Sequence, residues 1–350
     1  MEKLEILASI TRLSPNVVRV LGQNPGKFQL QGTNTYIVGK TNPYMLIDTG
    51  EGKEEYIPVL ESALRETAPL KNQDEPHISD IVISHWHHDH VGGLPAVLSL
   101  LRKLWDEGKH PTPFKPPRLH KFSFPPNEEP ERSIVSSIID TLPAGSFTPN
   151  PEGKAFYDLH DSQVLGMETT AMRVLHTPGH TVDSICLFIP DDKALYTADS
   201  ILGQGTAVFE DLSAYMTSLQ KMLDFNTGPI DVDIYTAANA PTYNVLYPGH
   251  GPVVSDGAKL IETYIKHRLE REKQVLQVLE SPPPNVQAAG EQGSGKWTTW
   301  EVVSKIYAEY PENLWLPAAH GIDLHMKKLE KDGVVKRFGG EGVETVWAKL

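Results

Sequence analysis

Four potential metal ligands fall within six positions of this chain, in the order His85-x-His87-x-Asp89-His90. They follow Asp80–Ser84 (DIVIS), a short continuous apolar run of the kind a sheet buries on both faces. They precede Gly92-Gly93 and the helical pattern LPAVLSLLRKLW. The cluster therefore sits between the C-terminal end of a strand and a helix N-terminus, where open sheets carry their chemistry. Residues two apart leaving a strand can aim at one ion, and the next two in the turn at a neighbouring ion. Two metals close together follow from that spacing. A surface histidine cluster is the plainer reading.

The chain has a single cysteine, Cys186, so neither an intramolecular disulfide nor a cysteine-rich zinc site is open to it. A metal here must be held by histidine and carboxylate. Three later apolar runs end in such residues: His180 in HTPGH, Asp199 in YTADS and His250 in YPGHG. Singly, each would pass for a structural, surface or turn residue. Jointly they supply what two ions still lack.

The first half of the chain reads as strands NVVRVLG, NTYIVGK and YMLIDTG, then a helix over Glu55–Glu66, then DIVIS. Residues 106–132 carry seven prolines and few periodic apolar positions, which predicts a surface insertion. The runs AFYDLHDSQVLGM, TTAMRVLHTPGH, SICLFIP and KALYTADS predict a second sheet. Helices are expected over about 212–223 and 258–280, with a further insertion over about 226–243. The large domain so defined spans 1–280. A linker follows at 281–296 (SPPPNVQAAGEQGSGK), then a module of helices and a terminal hairpin at 297–350, winged-helix-like in outline.

These residues resemble the metallo-β-lactamase superfamily, whose five motifs match Asp48, His85 to His90, His180, Asp199 and His250 in order. The resemblance implies an α+β fold, an αββα sandwich of two mixed sheets covered by helices. It also implies two zinc ions per chain: one on His85, His87 and His180, the other on Asp89, His90 and His250. Asp199 would bridge both with a hydroxide, and Asp48 would orient a ligand from behind. His88 and His176 fall at positions that are not ligands. The segments VVRVLGQNPGKFQLQGTNTYIVG, HWHHDHVGG, TPGHT, DSILGQGTAVFEDL and YPGHGP are similar to the β-lactamase-like protein 2 group within that superfamily. That group is similar both to endoribonucleases acting on single-stranded RNA and to fungal thioesterases that release polyketides from an acyl carrier protein. Asp89 occupies the motif position to which the thioesterase resemblance assigns the proton donor and acceptor, and it is the single catalytic residue expected.

The chain carries a net charge of −13, which works against nonspecific attraction to nucleic acid or anionic membrane. Lys327, Lys328, Lys331, Lys336 and Arg337 with Trp347 offer one basic patch, for RNA or for an acidic carrier protein, although such a run is usually a solvated face. No G-x-S-x-G elbow competes with the metal site; the glycine-rich GQGT run at Gly203–Thr206 reads as a loop near the metals. Gly32-Thr33-Asn34 and the preceding NPGKF shape the way in to the site or form an ordinary turn. No transmembrane run or import signal is evident, so the expected compartment is the cytosol rather than the mitochondrion. The expected function is a dinuclear zinc hydrolase, a thioesterase partnered by an acyl carrier protein or polyketide synthase domain. A metal-dependent endoribonuclease is the alternative, and a non-catalytic binding protein with a vestigial site the remote one.

Overall fold

The computed structural model describes residues 4–108, 110, 112–166, 171–227, 242–283 and 295–350. The β-branched and aromatic runs become strands: β1 (Ile10–Arg12), β2 (Val17–Leu21), β3 (Asn34–Val38), β4 (Tyr44–Ile47) and β5 (Ile78–Ile83). With β6 (Arg118–Phe122) and β7 (Phe156–Leu159) they form a seven-stranded sheet in sequence order. Its first half is antiparallel and β4 to β7 are parallel. The parallel half requires crossovers, supplied by α1 (Tyr56–Ser62), the short α2 (His88–Val91) with α3 (Leu94–Glu107), and α4 (Val135–Thr141). Helix α3 buries Leu94, Val97, Leu98, Leu101 and Leu104 on one stripe against the sheet.

The second sheet has the order β12-β11-β10-β9-β8, from β8 (Val164–Leu165), β9 (Met172–His176), β10 (Ile185–Ile189), β11 (Ala194–Ala198) and β12 (Val245–Pro248). The two sheets share one apolar core, with Val17, Tyr36, Met45, Ile47 and Val82 from the first meeting Val174, Ile185, Leu187, Tyr196 and Tyr247 from the second. On the outer face of the second sheet, Phe188 of β10 meets Phe225 of α5 (Leu212–Thr227), ring centroids 5.3 Å apart. The result is an αββα sandwich.

Two expectations are corrected here. The proline-rich stretch 106–132 contains β6, a strand flanked on both sides, with Leu119 fully buried. Its polar residues His120 and Lys121 are buried because each finds a carboxylate, His120 meeting Asp80 at 2.7 Å and Lys121 meeting Asp183 at 2.6 Å, while the exposed Arg118 reaches Asp80 at 2.8 Å. The run AFYDL, assigned from sequence to the second sheet, is β7 and completes the first. Of the expected insertion at 226–243, residues 228–241 lie outside the described residues, as do 284–294 of the expected linker.

The chain divides into two compact units, Met1–Phe209 with Ser218–Ile261, and Glu210–Thr217 with Glu262–Leu350. Most of α6 (Gly257–Glu280) thus falls in the second unit rather than in a large domain ending at 280. There Val275 and Leu279 join a core with Trp297, Val303, Ile322, Met326 and Trp347. That unit also contains α7 (Thr299–Ile306), capped by a reciprocal Thr298–Glu301 box, and α8 (Trp315–Lys331). A three-stranded sheet closes it, β13 (Trp297–Thr298), β15 (Val346–Lys349) and β14 (Val335–Gly339) in that order. Among the described residues no helix is long and apolar enough to cross a membrane.

Candidate metal centre

Asp48 and the seven ligand candidates expected from the sequence come together in one place, most of them at strand ends. Asp48 leaves β4, His85 and His87 leave β5, Asp89 and His90 lie on α2, His180 follows β9, Asp199 follows β11 and His250 follows β12. One group that could hold a cation comprises His85, His87, His180 and Asp199; a second comprises Asp89, His90 and His250. In the first, His85 Nε2 lies 3.1 Å from His87 Nδ1 and 3.2 Å from His180 Nε2, which is 3.0 Å from His87 Nδ1. In the second, His250 Nε2 is 3.1 Å and His90 Nε2 3.6 Å from Asp89 Oδ2. Asp199 faces both: Oδ2 is 3.7 Å from His180 Nε2 and 3.2 Å from His250 Nε2, and Oδ1 is 3.4 Å from His90 Nε2. His88 and His176 are in neither group; the His176 ring stacks on Phe122 at 3.8 Å.

The backs of the rings are tied in a way that aims lone pairs inward. His180 Nδ1 donates to the Val208 carbonyl at 2.7 Å, which leaves Nε2 as the ring nitrogen turned into the site. His90 Nδ1 donates to Asp48 Oδ2 at 2.7 Å, and His250 Nδ1 faces the Gly32 carbonyl at 3.4 Å. Asp48 is itself fully buried and accepts from Ser84 N–H and Ser84 Oγ, each at 2.8 Å, and from the Tyr196 hydroxyl. Among the described residues His90 Nε2 and Asp199 Oδ1 are buried without a hydrogen-bond partner. Converging imidazole lone pairs beside ionised carboxylates, with orphaned atoms at their meeting point, fit divalent cations of the zinc class.

Electrostatics divides the two groups. Burial, then the neighbouring imidazoles His90, His87 and His180, push the His85 pKa well below its usual value; burial and His180 bring His87 down to about 3. Both rings are neutral, as ligands must be. Burial also opposes charge on His250 and His90, but Asp199 and Asp89 outweigh it. They lift His250 to about 9 and His90 well above the ordinary range. Burial would raise the carboxylates, yet His250 and His90 hold Asp199 well below its usual range, and the same two rings hold Asp89 low. With Nδ1 of both rings turned outward, the protons at stake sit on Nε2, the atoms for which a cation competes, so binding there releases protons.

The backbone is strained where the site needs it. Asp48 and Ala198 have φ of 59° and 45°, left-handed values that cost a residue with a Cβ. Sequence reasoning saw the ligands but not what steadies them. Thr33 donates to Asp89 Oδ2 at 3.2 Å, and Asn34 Nδ2 spans the carbonyls of Pro248 and Gly251, each at 2.9 Å. From sequence the GTN run predicts only a turn or a way in to the site, and Tyr196 only a place in a strand. Gly203, in the glycine-rich loop, donates its N–H to the His250 carbonyl at 2.8 Å, which sets that loop against the site. Of the expected basic patch, Trp347, Lys327 and Lys328 are engaged elsewhere. Trp347 is a core residue whose Nε1 donates to Thr299, Lys328 is paired with Glu272 and Asp332, and Lys327 with Asp323.

Comparison with known proteins matches residues 29–251 to the family model described as the metallo-beta-lactamase superfamily. Residues 298–346 match a beta-lactamase associated winged helix domain. The chain is 35% identical to a beta-lactamase-like protein 2 homolog of Drosophila melanogaster over 335 residues, 95% of this chain and 94% of the relative. It is 32% identical to an atrochrysone carboxyl ACP thioesterase of Aspergillus novofumigatus over 334 residues, 95% of this chain and 84% of the relative. A metallo-beta-lactamase family protein of Thermus thermophilus shares its fold, with a TM-score of 0.60 at 20% identity over 97% of this chain and 100% of that one.

Proposed function

The chain belongs to the metallo-β-lactamase superfamily of hydrolases, in its β-lactamase-like protein 2 group, and from that premise we propose that it is a dinuclear zinc thioesterase releasing an acyl chain from an acyl carrier protein. The observation that carries the two-metal part is the position of Asp199, whose two oxygens face both ligand groups at 3.2 to 3.7 Å. His85, His87 and His180 would hold one ion and Asp89, His90 and His250 the other, with Asp199 between them. Bound there, zinc supplies Lewis acidity and a water acidic enough to ionise near neutral pH.

The protein's own residues do the rest. Asp48 keeps the His90 lone pair turned inward, and Val208 O does so for His180. Asp89, 13% exposed at its side chain and held ionised, is in the form a proton acceptor must start from. It takes the proton of the attacking water as the C–O bond forms and the C–S bond breaks. The thiolate leaves without needing that proton at once, because a thiol, with a pKa of about 8.5, is far more acidic than an alcohol. A carrier-protein substrate is supported by the fungal relatives, which are named as ACP thioesterases. The pairing of Lys327 and Lys328 and the burial of Trp347 count against an RNA-stacking surface there.

The test pairs two substrates on zinc-loaded protein in one buffer: an acyl-pantetheine or acyl-carrier thioester, and single-stranded RNA. Asp89→Ala serves as the blank. Thioester turnover lost in the blank is the expected result. RNA cleavage lost in the blank, without thioester turnover, makes the protein an endoribonuclease instead. Absence of both activities with metal bound overturns the catalytic reading.

A further inference from the structure

We infer that Thr33 is a positioning residue for Asp89 and thereby sets the metal affinity of the group Asp89, His90 and His250; the inference rests on the two-metal reading above. Thr33 is fully buried and Asn24 nearly so. The Asn24 carboxamide oxygen accepts the Thr33 N–H at 2.8 Å, and its amide nitrogen donates to Thr33 Oγ1 at 3.0 Å. The opposite orientation of that carboxamide would set two donors against each other at the Thr33 N–H, so the network itself fixes it. With Oγ1 already accepting, its one proton is directed to Asp89 Oδ2, 3.2 Å away. That oxygen is the one facing His250 Nε2 and His90 Nε2. The hydroxyl therefore selects the rotation of the carboxylate about its own axis.

The same short segment also touches His250. Thr33 pairs with His250 as an isolated β-bridge, Asn34 N–H donates to Gly249 O at 2.7 Å, and Gly32 O lies 3.4 Å from His250 Nδ1. Two of the three members of the group are thus referred to one stretch of backbone, Gly32 to Asn34. That stretch is clamped in turn: a Cβ on Gly22 would lie 2.9 Å from Asn24 Oδ1, so the carboxamide packs directly on backbone. A purely structural Asn24–Thr33 contact would need only the N–H bond. The hydroxyl adds a directed bond to a ligand, and hydrogen bonds of that kind govern how well a ligand set holds its metal.

The experiment is a titration of metal-free protein with cobalt(II), and separately with zinc against a chelator of known affinity. Wild type, Thr33→Val and Thr33→Ser are compared. Wild type takes up two equivalents. Thr33→Val keeps the first within about threefold and weakens the second by about tenfold or more, with a changed visible cobalt band for that equivalent alone; Thr33→Ser restores both. Thermal melting of the metal-free proteins separates this from misfolding: valine is close to threonine in volume, and any stability lost with the Asn24 bond shows in the melting temperature. Two equivalents held by Thr33→Val with wild-type affinity and spectrum overturn the inference, as does equal weakening of both equivalents. A wild type that takes up one equivalent overturns the two-metal reading itself, and this inference with it.

Discussion

A Cβ on Gly249 would lie 2.4 Å from Asp199 Oδ1 and 3.0 Å from the backbone of Ala198, so the carboxylate that faces both ligand groups rests on a position that cannot carry a side chain. Ala198, just before it, is already in the left-handed region and has little freedom to yield. Gly249→Ala is therefore expected to displace Asp199 rather than unfold the sandwich. Displacements near 1 Å at a reacting centre cost about 100-fold in rate, and that is the loss expected in kcat, with an unchanged far-ultraviolet dichroism spectrum. A variant with wild-type kcat would mean that the carboxylate does not depend on this contact. The ligands themselves were legible in the sequence because each ends an apolar run in a short motif. Gly249 and Thr33 were visible only as members of YPGHG and GTN. Their roles arise from contacts between segments far apart in the chain, Thr33 meeting Asp89 across 56 positions, and local pattern carries no trace of such a meeting.

Elements were legible where their own periodicity specified them and illegible where a distant partner did. Strand β6 is Arg-Leu-His-Lys-Phe, too polar and too crowded by proline to read as a buried strand. It is buried because Asp80 and Asp183 reach its His120 and Lys121 from other elements. Likewise the apolar pattern of β7 announced a strand but not which sheet would take it. Helix α8 shows the converse, a legible helix carrying an unannounced electrostatic cost. Its His325 is 3% exposed, and burial followed by Arg268, Arg271 and Lys328 brings its pKa down to about 3. The unfolded chain takes up a proton near pH 6.5, whereas the folded one resists until far lower. This neutral ring thus stabilises fully above pH 6.5, and its contribution is lost progressively as the pH falls from 6.5 toward 3. His325 Nδ1 has no hydrogen-bond partner among the described residues, so His325→Leu removes the titration without breaking a bond at that atom. Urea unfolding at pH 7, 5.5 and 4.5 should show the gap between variant and wild type widening in the variant's favour as the pH drops. A gap independent of pH would remove His325 as the source of acid sensitivity.

At the scale of the whole molecule, each compact unit has an apolar core of its own, and the candidate metal ligands all belong to the first. The boundary expected from sequence at 280 differs because α6 reads as one uninterrupted amphipathic helix, whereas from Glu262 on it belongs to the C-terminal unit, where Val275 and Leu279 pack around Trp297 and Trp347. An ion bound only by the folded state stabilises the unit that binds it, by about 4 kcal/mol at a thousandfold excess over the dissociation constant. For a unit of this size each kcal/mol is worth about 2 to 4 °C, so chelation should lower one calorimetric transition by roughly 8 to 16 °C. Of the six tryptophans, Trp297, Trp300, Trp315 and Trp347 lie in the second unit and Trp86 and Trp105 in the first. Fluorescence therefore reports mainly on the unit without ligands. The expected outcome is a calorimetric transition that falls on chelation and returns with zinc, beside a fluorescence transition that moves far less. If both transitions fall together by the same amount, the two units unfold as one cooperative body and their separate cores do not confer separate stabilities. If neither falls, the converging imidazoles and carboxylates hold no ion that matters to the fold, and the metal reading loses its thermodynamic support.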